Sequence, residues 1–184
     1  MDIRALRAEL GKAFCADGFE ELRLRKGAPK VWALPSSEVI AYFAPDAQRR
    51  PWGFNLFGVI GIEIPELRDW LNEHKPGQES GIFGSSFVGY YTLNEDVFRD
   101  FRVDHGLPVP SDLWVGLIKD RLNRIPQTLD NLIATYRTNR EALGRLAQPE
   151  DRAAWDFLIQ WVHNPDPTLV VPYRLPTGQI AYER

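Results

Sequence analysis

A chain of 184 residues with 44% hydrophobic, 12% aromatic and 26% charged side chains has the make-up of one globular domain. It is large enough to build a core without disulfide or metal staples. A formal net charge of -3 and a pI near 5.7 speak against nucleic acid as a partner, which asks for a strongly basic face, and a single cysteine excludes an internal disulfide or a thiolate metal cluster.

The first residues, MDIRALRAELGKAF, carry a charge every few positions and lack the apolar centre of a secretory signal. No apolar run approaches the ~20 residues that span a bilayer. The expectation is a cytoplasmic protein with no membrane partner. Ile3, Leu6, Leu10, Ala13 and Phe14 recur at helical spacing, so a first amphipathic helix is predicted, closed by Asp17-Gly18. Cys15, beside Phe14, is expected to be a small buried thiol.

Strands follow. FEELRLRKG alternates apolar and charged residues, as in a strand with one wet face, and KVWAL makes a second short strand. EVIAYFA is apolar on both faces and reads as central. WGFNLFGVIGIEI is its partner, with Trp52, Phe54, Leu56, Ile60, Ile62 and Ile64 on one face, broken by Gly58. Gly53 and Gly61 on the other face mark a close approach, expected from a packing helix more often than from a ligand. Pro65 opens a second helix and Pro76-Gly77 stops it. The Gly- and Ser-rich segment 78–86 reads as a mobile loop, SFVGYYTL as a fifth strand, and EDVFRDFRV as a short helix capped by Asn94.

After the connector HGLPVPSD the pattern turns helical. One helix runs along Leu113, Leu117, Ile118, Leu122 and Ile125, and Pro126 breaks or kinks it. A second follows Leu129 to Leu146, and a third opens at Pro149 and ends at His163-Asn164-Pro165. TLVVPYRLPTGQIAYER reads as a terminal β-hairpin. The predicted class is therefore α+β: an antiparallel sheet of four or five strands packed by helices, a strand-rich 1–93 and a helix-rich 94–184 within a single domain, and a terminal hairpin.

No catalytic signature stands out. His74, His105 and His163 fall at element ends without metal-ligand spacing, and no phosphate loop or other cofactor motif is present, so no catalytic residue, metal or cofactor is assigned. Asp96, Asp100 and Asp104 share a spacing of four and would lie on one helical face, with Glu95, Arg99 and Arg102 nearby; a solvated, partly neutralised face is the ordinary reading. Asp104-His105-Gly106 resembles a fragment of a catalytic pair, but spacing offers it no nucleophile, and loop capping is the plainer role.

The feature singled out for partner binding is the basic loop Pro45–Pro51, with Arg49 and Arg50 directly before Trp52 at a hairpin tip. Arginine and tryptophan are common binding anchors. A solvated loop with Trp52 tucked into the core is the commoner arrangement of such residues. Trp32 and Tyr42, on adjoining strands, are expected to enlarge the same aromatic surface.

The order of opening helix, Asp17-Gly18-Phe19, arginine-bearing strand, EVIAYF strand and FNLFGVIGI strand resembles a family of small bacterial domains of unknown function, over residues 1–75. That resemblance implies a bacterial α+β protein without established activity, similar in size and acidity to immunity or accessory proteins that bind another protein. The leading functional expectation is a non-enzymatic protein-binding module, of the immunity type or an accessory to a bacterial toxin system. The alternative is a small-ligand binder or hydrolase-like enzyme with a polar cleft between sheet and helical half, using Asp100, Asp104 and His105.

Overall fold

The computed structural model describes residues 3–23, 30–76, 87–92, 102–147, 152–174 and 180–182. The class is α+β. Helix α1 (Ile3–Ala16) is followed by β1 (Glu20–Leu22), β2 (Val31–Ala33), β3 (Ile40–Arg50) and β4 (Gly53–Glu63). Next come α2 (Pro65–His74), β5 (Phe87–Thr92) and β6 (Arg102–Asp104). Helices α3 (Ser111–Leu122), α4 (Leu129–Thr138) and α5 (Arg152–His163) follow, with a 3₁₀ segment (Arg140–Ala147) before α5. Strands β7 (Pro172–Arg174) and β8 (Ile180–Tyr182) pair antiparallel near the end, and the turn between them lies outside the described residues.

The main sheet runs in the order β1-β2-β3-β4-β5, with β6 laid on β4. Pairing is antiparallel where β2 meets β1 and β3, and where β6 meets β4. The sixth strand replaces part of an expected helix: Arg102 and Val103 are extended, while the 94–101 portion and the 78–86 loop lie outside the described residues. The basic loop expected over 45–51 is also strand. Pairing continues through Arg50, and only Pro51 and Trp52 turn the chain. A longer hairpin satisfies more backbone groups in the ladder than a seven-residue loop would.

Two compact units emerge. The first comprises Met1–Pro35, Ala41–Ile60 and Tyr91–Arg124; the second comprises Ser36–Ile40, Gly61–Tyr90 and Ile125–Arg184. Each unit joins segments remote in sequence.

In the first unit, α1 presents Leu6, Leu10 and Phe14 at intervals of four, and all three are buried. Phe14 stacks on Trp32 (centroids 5.3 Å apart) and meets Phe19 and Phe43. Gly11 leaves the room Trp32 occupies: a Cβ there would lie 3.0 Å from its ring. Cys15, one residue past the buried stripe, is exposed rather than buried, because a helix turns about 100° per residue and carries it off the apolar face. Helix α1 packs against α3, where Lys119 Nζ donates to the Asp17 carbonyl (2.8 Å) and pairs with its carboxylate (3.0 Å). Since α1 has no basic residue in its last turn, this lysine brings the favourable cation to that end.

In the second unit, Glu38 Oε2 accepts the N–H of Leu129 at the start of α4, and Val39 N–H donates to the Gln127 carbonyl. Thr128 caps the same helix. The helix expected to run to Leu146 stops at Asn139, whose φ of -150° leaves the helical basin, and continues as the 3₁₀ segment. Trp155 of α5 stacks on Tyr136 at 4.3 Å and donates its indole N–H to the Leu146 carbonyl at 2.9 Å.

Candidate functional site

The strongest local chemistry in the first unit lies where β6 joins the open end of β4. Gly53 faces Asp104, Phe54 faces Val103 and Asn55 faces Arg102. The strands approach so closely at Gly53 that a Cβ there would sit 1.9 Å from the Val103 carbonyl oxygen. The glycine is thus explained by a neighbouring strand, not by a packing helix or a ligand. His105 N–H donates to the Trp52 carbonyl at 2.9 Å, extending the ladder into the hairpin turn.

This pairing brings Trp52 and Arg102 together. The guanidinium lies 4.1 Å from the centre of the indole, while its Nε donates to Asp104 Oδ1 at 2.6 Å. The arginine is held on one side by a ring face and on another by a carboxylate, yet half of its side chain stays exposed. Arginine held this way loses less freedom when it meets a partner.

Next to it is an open cavity of about 370 Å³, lined by Glu9 of α1, Phe54, and the run Val103 to Val109. Phe54 and Val103 are buried and form its apolar side, and the His105 ring meets Phe54 edge-on at 6.3 Å. Gly106 takes a φ of +81°, the left-handed conformation that turns the chain from β6 into the Pro108–Pro110 connector. Just before that connector Leu107 is 60% exposed, and in the first turn of α3 Leu113 is 57% exposed.

The predicted partner-binding residues separate. Arg49 and Arg50 are exposed, at the end of β3, and Trp52 is half-buried beneath Arg102. Trp32 is only 7% exposed and Tyr42 is buried with it, so neither adds to a binding surface; their strand faces are claimed by α1 and the core. Asp104 stands on a strand and its following turn instead of a helix, while Glu95, Asp96 and Asp100 lie outside the described residues. His74 stacks on Trp70 and its Nδ1 lies 3.0 Å from the Trp70 carbonyl; His163 is exposed at the end of α5. Among the described residues no group of three His, Cys, Asp or Glu side chains is placed to hold a metal ion. Nor is any helix among them long and apolar enough to cross a membrane.

Arg102, Glu9 and Leu107 carry no binding signal in the sequence. Arg102 scans as a helical neutraliser, and only its pairing across to the Trp52 turn reveals its role. A second unanticipated group is Glu63, at the end of β4. Its side chain is 3% exposed, and burial pushes its carboxyl up to about 7 despite the Arg68 guanidinium that pairs with it. Its Oε2 is buried and has no hydrogen-bond partner among the described residues.

Compared with known proteins, the chain matches no family model, no curated protein and no solved structure.

Proposed function

We propose that this chain is a protein-binding module acting through the Trp52–Arg102–Leu107 face of its first unit, in the manner of an immunity-type or accessory partner of a bacterial toxin. The observation that carries the reading is the pre-positioned Arg102, stacked on Trp52 and braced by Asp104, beside an exposed Leu107 and an open cavity. Tryptophan and arginine dominate the energetics of many interfaces, and an apolar neighbour supplies area to bury. The toxin-related part of the proposal comes from the family resemblance and the acidity of the chain.

Affinity capture from cells of the source organism tests it, using the wild type beside a Leu107→Asp, Arg102→Ala double variant. One stoichiometric partner, held by the wild type and lost by the double variant, is the expected result. Failure to recover a partner, or equal retention by both proteins, contradicts the proposal.

The second reading, a small-ligand binder or hydrolase-like enzyme, is favoured by one observation: Asp104 and His105 both line the cavity. Its volume falls within the range of small-molecule sites. Turnover of a panel of ester and amide substrates that is abolished by His105→Ala would favour this reading over the first.

A further inference from the structure

We infer that the cavity beside β6 receives a basic side chain, arginine or lysine, presented by the partner protein; this rests on the protein-binding reading above. Three features of the cavity select that chemistry. Glu9 contributes a carboxylate from α1, and among the described residues it has no ion pair or hydrogen bond. Asp104 contributes a second carboxylate, whose Oδ1 is taken by Arg102 while 39% of the side chain stays exposed. The remaining side chains of the lining are mostly apolar, Phe54, Val103, Leu107, Pro108 and Val109, and the His105 ring among them meets Phe54 edge-on.

A carboxylate without a counter-ion beside an apolar wall matches a long basic side chain, whose methylene stem lies on hydrocarbon while its head meets the charge. An acidic side chain would meet Glu9 and Asp104 as like charges, with Arg102 already engaged on Trp52 and Asp104. A purely apolar side chain would leave Glu9 to be desolvated without compensation. The geometry also orders the contacts. Arg102 and Trp52 supply an anchor reaching outward, and the cavity supplies a receptor for an anchor reaching inward.

The test uses the full chain and N-acetyl-L-argininamide as the probe, with the uncharged N-acetyl-L-citrullinamide as its control, followed by amide chemical shifts in NMR. Saturable shifts at Glu9, His105, Gly106 and Leu107 are expected with the arginine probe, at an affinity on the order of 1 mM. The citrulline probe should leave those amides in place. Glu9→Gln should weaken the arginine probe about fivefold, the scale of one exposed charge pair, whereas Glu9→Asp should keep most of the binding. Glu9 is exposed on a helix surface, so neither variant threatens the fold.

Equal shifts with both probes, no shift with either, or an unchanged affinity in Glu9→Gln would overturn the inference. A partner captured through Leu107 whose affinity ignores Glu9→Gln overturns it while leaving the protein-binding reading intact. Binding of the arginine probe without any protein partner overturns the protein-binding reading and, with it, the assignment of the basic side chain to a partner.

Discussion

Arg102 and Trp52 are fifty residues apart in the chain, yet the guanidinium of one lies 4.1 Å above the ring of the other. Removing it separates a structural role from a binding one. An exposed cation–π contact contributes about 0.5–1 kcal/mol, and an exposed ion pair with Asp104 roughly 0–1 kcal/mol. Arg102→Ala should therefore lower stability by about 0.5–2 kcal/mol in urea denaturation. If Arg102 is an anchor, partner affinity should fall by about 2 kcal/mol or more in the same variant. Calorimetric titration with the captured partner measures this, and a loss no larger than the stability change would make Arg102 a bystander.

Glu63 links stability to pH. Its carboxyl has an ordinary value of 4.5 and is raised to about 7 in the folded protein, chiefly by burial. Between those values the folded state holds a proton that the unfolded state has released, so stability falls as pH rises. Below 4.5 the side chain carries no such cost, and above about 7 the cost is complete. Stability falls by about 1.4 kcal/mol for every pH unit crossed between the two values. Glu63→Gln, which keeps the shape but cannot ionise, should flatten the slope of unfolding free energy across this window. An unchanged slope would show that other groups set it.

Two glycines should respond to alanine in opposite directions. At Gly58 a Cβ would fall 2.2 Å from the Phe43 ring and 2.7 Å from the Ala44 carbonyl oxygen. Gly58→Ala must displace a buried ring and backbone, and should cost about 1–3 kcal/mol or more. Gly116 lies within α3 with no atom of the described residues inside 4 Å of a new Cβ, so Gly116→Ala should stabilise by about 0.5–1 kcal/mol through helix propensity. Thermal unfolding of the two variants decides both.

Cys15 gives a quick check on the orientation of α1. Because it is exposed, it should react with a chromogenic thiol reagent in native buffer as completely as in denaturant. A thiol that reacts only after unfolding would mean that α1 turns a different face to the core.

Much of the fold is legible in the sequence because local rules agree with tertiary ones. The stripe Leu6, Leu10, Phe14 locates α1, Pro65 opens α2, and Gly18, at a φ of +86°, closes α1 where Asp17-Gly18 predicts. Expectation and structure part where pairing between distant segments outweighs local propensity. Arg102 and Val103 scan as the end of a helix but extend because β4 offers them a ladder. Residues 45–50, with a proline and two arginines, scan as a loop but continue β3.

The candidate site is legible only in fragments. In the sequence, Trp52 and the Asp104-His105 pair point to competing functions. The bond from His105 N–H to the Trp52 carbonyl places them side by side. Glu9 carries no signal at all, since one acidic residue on an amphipathic helix looks like any other solvated charge. Trp32 misleads for the opposite reason: whether an aromatic on a short strand faces solvent depends on what packs over it, here Gly11 and Phe14.

Contact through the β6 end of the first unit is tested most directly by photo-crosslinking in cells of the source organism. A photoreactive phenylalanine derivative is placed at Leu107 or, as a control of similar exposure, at Val170. The prediction is one dominant protein adduct from position 107, weakened by Arg102→Ala, and none of that mass from position 170. Adducts of the same mass from both positions, or from neither, would contradict the assignment of this face as a protein-binding surface.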